Sequence, residues 1–266
     1  MIEPRHHDAA LTHEEVDKIL RYCGPRSLLV GGQALAFWAL HYEIEPVGAL
    51  SAKITSDADF IGTATDARRL GAAMNWKVWI ATLDDATVQT AKVTTVNPGG
   101  GVKQVDFLSA IVGLDTDRIQ ARAPSIVLSP DVTIRVLHPL DVLESRLRNL
   151  YSLPEKRNAI GVAQARLAID VVREFVCEMI AIGAELRDVF KAVERIAKIA
   201  LDKKLVEVAI DYNIDPLDAV PVSRIDSREF RAHRWPQIES AVVELKRKRV
   251  KLKGGRSTPG KSRSAT

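Results

Sequence analysis

The chain has 266 residues, of which 46% are hydrophobic and 27% charged, as is typical of a globular protein with one large domain or two small ones. The two cysteines are far apart in the sequence, which argues against a disulfide scaffold or a cysteine zinc site. The lack of a long apolar run argues against a signal peptide or a membrane span. We therefore expect a cytoplasmic protein without a membrane partner. The net charge of +4 arises at the C-terminus, because residues 245–266 contain nine Lys or Arg and no acid, which leaves a charge of −5 on the rest.

Strands and helices both occur in the first half of the chain. A capping box formed by Thr12 and Glu15 predicts a helix that runs to about Tyr22. The double glycine Gly31-Gly32 follows a short apolar strand and opens a helix over 33–42. Asp66 is expected to cap a helix that ends near residue 75. The remaining predicted strands are 54–62, 77–81, 87–96, 102–109 and 132–136, with an antiparallel hairpin turning at 97–101.

The second half of the chain is helical in pattern. Apolar residues recur at helical spacing over 140–150, and most of 155–210 fits amphipathic helices with breaks near Gly183 and Asp202. A last helix is expected over 238–251. We therefore predict an α+β domain over 1–137 with an N-terminal helix, a helical domain over 138–252 and a disordered basic tail over 253–266.

Three aspartates stand out in the first half. Asp57 and Asp59 are one residue apart on a predicted strand, so their side chains share one face, and Asp106 lies inside another short apolar strand. If the two strands are neighbours, the three carboxylates converge. Buried like charges require cations, and Mg²⁺ prefers carboxylate and phosphate oxygens. The alternatives are a solvated strand entrance for Asp57 and Asp59, and an exposed edge-strand position for Asp106.

The double glycine fits the same chemistry. Gly31 and Gly32 would let backbone N–H groups at a helix N-terminus approach a phosphate, although a tight turn without a ligand explains them equally well. Two metal ions could bridge the carboxylates and a triphosphate, and the third carboxylate could accept a hydroxyl proton.

These segments resemble a known superfamily. Gly31-Gly32, then Thr55-Ser56-Asp57-Ala58-Asp59-Phe60, then Val105-Asp106-Phe107 resemble the polymerase-β-type nucleotidyltransferases, and most of all the AbiEii-type toxins of toxin–antitoxin pairs. The stretches 137–150 and 153–158 are similar to that family's helix after the catalytic sheet and to the segment that follows it.

The resemblance implies a mixed sheet with flanking helices, a helical C-terminal domain, two Mg²⁺ ions and a nucleoside triphosphate donor. It implies that Asp57 and Asp59 hold metal, and that Asp106 completes the metal site and acts as base. It also implies that Gly31, Gly32, Thr55 and Ser56 lie at the donor, and that Arg146 stands where the family commonly has a phosphate-binding Lys.

The resemblance leaves the acceptor open. An RNA such as tRNA, which the basic tail could bind, a protein and a small molecule such as an antibiotic are all candidates, and an antitoxin is an implied partner. The family also tends to have Arg before the Thr-x-Asp segment, where the nearest cation here is Lys53. This departure and Arg146 allow a different hypothesis, in which the fold is a catalytically weak module that binds a nucleotide or a partner.

Overall fold

A computed structural model describes residues 9–23, 26–45, 57–82, 84–85 and 87–254. Thr55, Ser56 and residues 255–266 of the predicted tail therefore lie outside the described residues. The chain divides into two compact units, one up to Phe175 and one from Val176 onwards. The domain boundary predicted at 137/138 falls inside the first of these units.

In the described part of the first unit, seven strands form one mixed sheet in the order β3-β4-β5-β2-β1-β7-β6. The strands are β1 (Leu28–Val30), β2 (Asp57–Ile61), β3 (Lys77–Ile80), β4 (Gln89–Val96), β5 (Val102–Leu108), β6 (Ser125–Ser129) and β7 (Val132–Val136). Strand β1 is fully buried and pairs antiparallel with β2 and parallel with β7, while β2 pairs parallel with β5. The predicted hairpin is confirmed, because β4 and β5 pair antiparallel.

The helices that lie wholly in the first unit are α1 (His13–Cys23), α2 (Gly31–His41), α3 (Ala64–Met74), α4 (Thr116–Arg122) and α5 (Pro139–Ser152), and α6 (Ala159–Ala181) begins in it. The predicted capping box of α1 is present: Glu15 N–H donates to Thr12 Oγ1, and Thr12 N–H donates to Glu15 Oε2. In α3 the cap is Thr63, and Asp66 completes a capping box from the third helical position, which corrects the assignment of Asp66 as the cap.

Two short elements were not predicted. Helix α4 begins after Asp115, whose carboxylate accepts a hydrogen bond from Arg118 N–H, and strand β6 follows it directly. Helix α2 also begins two residues earlier than predicted, at Gly31 itself.

The two faces of the sheet differ in character. One face carries the apolar core, in which Leu29, Phe60 and Ile134 line a cavity beneath α1 and α2 and Phe60 stacks on Phe107. The other face carries the aspartates of β2 and β5, since neighbouring residues of a strand point to opposite sides.

The second unit is helical, as predicted. It contains α7 (Leu186–Ala200), α8 (Leu205–Tyr212) and α9 (Trp235–Gly254). The inner face of α9 buries Trp235, Ile238 and Val242, and Lys246 forms a 2.5 Å ion pair with Asp215. Among the described residues no helix is both long and apolar enough to cross a membrane.

Candidate functional site

The three aspartates lie on one face of the sheet. Asp59 is directly opposite Asp106 in the parallel pair of β2 and β5, and Asp57 is two residues earlier on β2. The intervening Ala58 and the two residues that flank Asp106 are buried on the opposite face, so the period-two pattern of both strands holds. The parallel register thus brings together the carboxylates that the sequence singled out.

Gly31 brings the start of α2 against these carboxylates. Its φ of +65° is in the left-handed region, which favours glycine. A Cβ atom at this position would overlap Oδ2 of Asp59 and lie 2.8 Å from its carboxyl carbon. The N-cap residue of α2, Val30, makes no side-chain cap hydrogen bond, so this residue leaves the first backbone N–H groups of the helix, next to Gly32, open to an anion.

Arg146 supplies a buried positive charge at the same place. It lies on α5, its Nη1 donates to Oε1 of Gln164 at 3.2 Å, and its Nε has no hydrogen-bond partner among the described residues. Burial lowers the pKa of Arg146, and the nearby Asp59 carboxylate opposes that shift. A buried guanidinium with an unused donor is costly unless an anion uses it.

Burial raises the pKa of Asp59, and Arg146 partly offsets the effect. Burial likewise raises the pKa of Asp106 to about 6, with Lys92 acting against the shift. Gln89 Nε2 donates to Oδ1 of Asp106 at 2.6 Å and Gln104 Nε2 donates to Oδ2 at 3.0 Å. Both oxygens of Asp106 therefore already accept hydrogen bonds from neutral amides.

Asp57, Asp59, the start of α2 and Arg146 line a cavity of about 300 Å³, whose lining does not include Asp106. The polar lining residues and glycines are Gly31, Gly32, Asp57, Asp59, Ser145, Arg146, Asn149, Lys156 and Gln164. The apolar lining residues include Val88, Leu108, Ile111, Val112 and Leu153. The cavity therefore combines charges of both signs with an apolar wall.

The donor set suits Mg²⁺ in part. No group of three or more His, Cys, Asp or Glu side chains within the described ranges is arranged to hold a metal ion. Asp57 and Asp59 nevertheless offer carboxylate oxygens from the same side of one strand. Because Mg²⁺ is commonly held by one or two carboxylates together with substrate phosphates, these two residues fit an ion that enters with a polyphosphate.

Sequence reasoning missed the neighbours that define the site. Gln104 could have been found, because it is two residues from Asp106 on the same strand and so on the same face. Gln89, Ser145 and Gln164 gave no local signal, because their role depends on strand register and on the packing of α5 and α6.

Comparison with known proteins assigns no family. No family profile matches the chain, and no curated protein matches it. Among solved structures the chain is similar to JHP933 from Helicobacter pylori, with 13% sequence identity and a TM-score of 0.38 over 92% of this chain and 97% of that chain. At that level the similarity carries no conclusion about the activity of this chain.

Proposed function

We propose that the protein is a metal-dependent nucleotidyltransferase of the polymerase-β type, most like the AbiEii-type toxins. The observation that carries the proposal is the meeting in one cavity of Asp57, Asp59, the α2 N-terminus and the buried Arg146. Two carboxylates beside a buried cation and free helix amides suit a ligand that brings both Mg²⁺ and phosphate.

The polar residues of the cavity lining would hold the triphosphate of the donor. The N–H groups at Gly31 and Gly32 would bind phosphate oxygens, and Arg146 would use its free Nε in a planar, two-point contact. Lys156 adds a second cation to the cavity lining. The apolar residues of the lining, among them Ile111 and Leu153, would contact the less polar part of the nucleotide.

Asp57 and Asp59 would hold the metal ions, two of which are expected with the donor bound. The ions would supply activation of the acceptor hydroxyl and charge neutralisation of the leaving pyrophosphate. Asp106 would bind a metal ion only if it lost the hydrogen bond from the Gln89 amide or from the Gln104 amide. Its role as a third metal ligand therefore stays a prediction.

In the proposed reaction the acceptor hydroxyl oxygen forms a bond to the α-phosphorus of the donor. The bond between that phosphorus and the bridging oxygen to the β-phosphate breaks, and pyrophosphate leaves. Asp106 accepts the hydroxyl proton, for which its pKa of about 6 is suitable near neutral pH. Arg146 and the α2 amides offset charge that develops on the phosphate oxygens.

The experiment that tests the proposal is transfer of label from α-labelled nucleoside triphosphates to cell RNA or protein in the presence of Mg²⁺. We expect label transfer by the wild type, loss of it in Asp57→Asn, and no loss in Asp131→Asn, an exposed aspartate outside the cavity. Label transfer equal in Asp57→Asn and wild type, or none with any of the four triphosphates and any acceptor, would contradict it.

The proposed enzyme has two forms, which differ in the molecule that accepts the nucleotidyl group. A toxin that modifies RNA or protein, paired with an antitoxin, would arrest growth when expressed alone. An enzyme that modifies an antibiotic would instead confer resistance. The basic residues beyond Leu245 would favour an RNA acceptor through phosphate contacts.

A second candidate function has its own support. Because both oxygens of Asp106 are hydrogen-bonded and no three-residue metal group occurs in the described residues, the cavity could bind a nucleotide without turnover. Calorimetry with a non-hydrolysable triphosphate distinguishes this binding module from the proposed enzyme. Binding that needs Mg²⁺ favours the enzyme, and binding of equal strength without Mg²⁺ favours the binding module.

A further inference from the structure

Within the described residues, β6 pairs with β7 alone and so forms an edge of the sheet, and its sequence is apolar for an edge strand. Its residues are Ser125-Ile126-Val127-Leu128-Ser129, without a charge or a proline. Val127 is 69% exposed and Leu128 is 44% exposed. Open edge strands are normally protected by charges or prolines, because they can pair with another strand. The opposite edge strand, β3, carries such a charge at Lys77.

The backbone of β6 presents hydrogen-bonding groups away from the sheet. Val136 N–H donates to the carbonyl of Pro124 at 3.1 Å, and the register places Ile126 opposite Ile134. Hydrogen-bonded and non-hydrogen-bonded pairs alternate in an antiparallel ladder. Ile126 therefore bonds to β7, and the N–H and C=O groups of Val127 point outward.

The sequence of β6 shows what could pair with it. The strand runs serine, apolar, Val127, apolar, serine, so it has the same pattern in both directions. An antiparallel pair with a second copy, centred on Val127, would place Ser125 opposite Ser129 and Ile126 opposite Leu128. This is the self-complementary arrangement that a two-fold axis requires.

An apolar cavity lies beside the same edge. It has a volume of about 290 Å³, is formed between α1, α2 and the sheet, and has Leu40 and Leu128 in its lining. Leu40 is 80% exposed. Pairing of two β6 strands would place the Ile126 side chain of the second copy next to Leu128 and so remove apolar surface from water in both copies.

We propose that β6 is a dimerisation strand, through which two copies of this chain pair antiparallel about Val127 and join their sheets. The regular part of the β6–β7 ladder extends to Val127, beyond which the register shifts. The outward groups of Val127 then form the two central hydrogen bonds of the interface. The proposal does not depend on the activity of the cavity on the other face of the sheet.

Oxidative cross-linking of Val127→Cys tests the register directly. Paired residues of a hydrogen-bonded antiparallel pair have Cα atoms about 5.5 Å apart, within the range that a disulfide spans. We expect Val127→Cys to form a covalent dimer on mild oxidation. The native Cys23 and Cys177 are buried and should not interfere. The matched control is Val96→Cys, at a 58% exposed strand end away from the edge, which should not cross-link.

The mass of the wild type in solution, measured by light scattering over micromolar concentrations, gives the second readout. We expect a concentration-dependent dimer that Val127→Asp abolishes and Val96→Asp retains, with unchanged circular dichroism. If Val127→Asp fails to fold, the cross-linking decides. The proposal is overturned if the wild type stays monomeric, or if Val127→Cys cross-links no faster than Val96→Cys. It is also overturned if the protein is a monomer whose β6 edge binds another protein.

Discussion

Gly31 packs directly against the carboxylate of Asp59, with no room for a methyl group between them. The contact joins the first residue of α2 to the middle of β2, whose pairing with β1 places Val30 opposite Asp59. The helix amides and the carboxylate are thus held at a fixed separation. In the proposed enzyme this separation sets the distance between the phosphate site and the metal site.

Gly31→Ala is expected to weaken both the fold and nucleotide binding. The left-handed backbone costs about 1–2 kcal/mol for a non-glycine residue, and the added methyl group must also displace Asp59. Gly100→Ala is the matched control, because Gly100 has a φ of +80° and nothing within 4 Å of its Cβ position. Urea unfolding should show a larger loss for Gly31→Ala, and equal losses would show that the contact with Asp59 is unimportant.

Arg146→Met should abolish measurable triphosphate binding or weaken it at least about tenfold, since one charge-assisted contact contributes on the order of 1.5–3 kcal/mol. The methionine keeps much of the volume but removes the buried charge beside Asp59. Arg118→Met, at an exposed arginine of α4, should leave binding unchanged. Calorimetric affinity for a triphosphate with Mg²⁺ checks this, and wild-type affinity in Arg146→Met would exclude Arg146 from the phosphate site.

Asp106→Asn is expected to stabilise the protein at high pH. The pKa of Asp106 is about 6 in the fold against 3.8 for the free side chain, so above pH 6 the folded state contains an ionised group that burial disfavours. This lowers the free energy of unfolding above pH 6, and the penalty disappears as the pH falls towards 4. Without metal, Asp106→Asn should therefore unfold at higher urea than wild type at pH 8, but not at pH 4. A difference that does not depend on pH would contradict this ionisation.

The ion pair of Arg122 with Asp141 should be important for stability. Asp141 is fully buried, and Arg122 binds it through Nε at 3.1 Å and Nη2 at 2.7 Å. Arg122→Ala removes a charge partner from a buried carboxylate, which commonly costs about 3–5 kcal/mol. Arg118→Ala removes only an exposed pair with Asp115 and should cost less than about 1 kcal/mol. Chemical denaturation of the two variants measures the difference.

The sequence was sufficient to predict the strands that carry the aspartates. The alternation of Asp57, Ala58, Asp59 and Phe60 has the strand period of two, and Asp is unfavourable inside a strand unless something uses it. The hairpin turn before Val102 was equally clear from its Asn-Pro-Gly sequence. The overall α+β class followed from these local patterns.

Long-range packing was not predictable in the same way. The pairing of Asp106 with the Gln89 amide depends on the register of β4 against β5, which contains a shift near Gln89. The sequence did not predict β6, because the strand is only five residues long and its apolar and polar residues do not alternate. The flanking prolines, Pro124 and Pro130, were the available signal. Helix α4 carried a usable signal in Asp115, a residue type that favours N-caps.

The position of β1 has a consequence for how the protein is made. This three-residue strand lies in the middle of the sheet, but its neighbours are β2 and β7, the last strand that the structure describes. A chain leaving the ribosome therefore has one side of β1 open until Val136 has been synthesised. Strand β1, which leads into Gly31 and pairs with β2 at Asp59, has both of its neighbours only then. A nascent chain that stalls earlier is expected to be a target for chaperones and proteases.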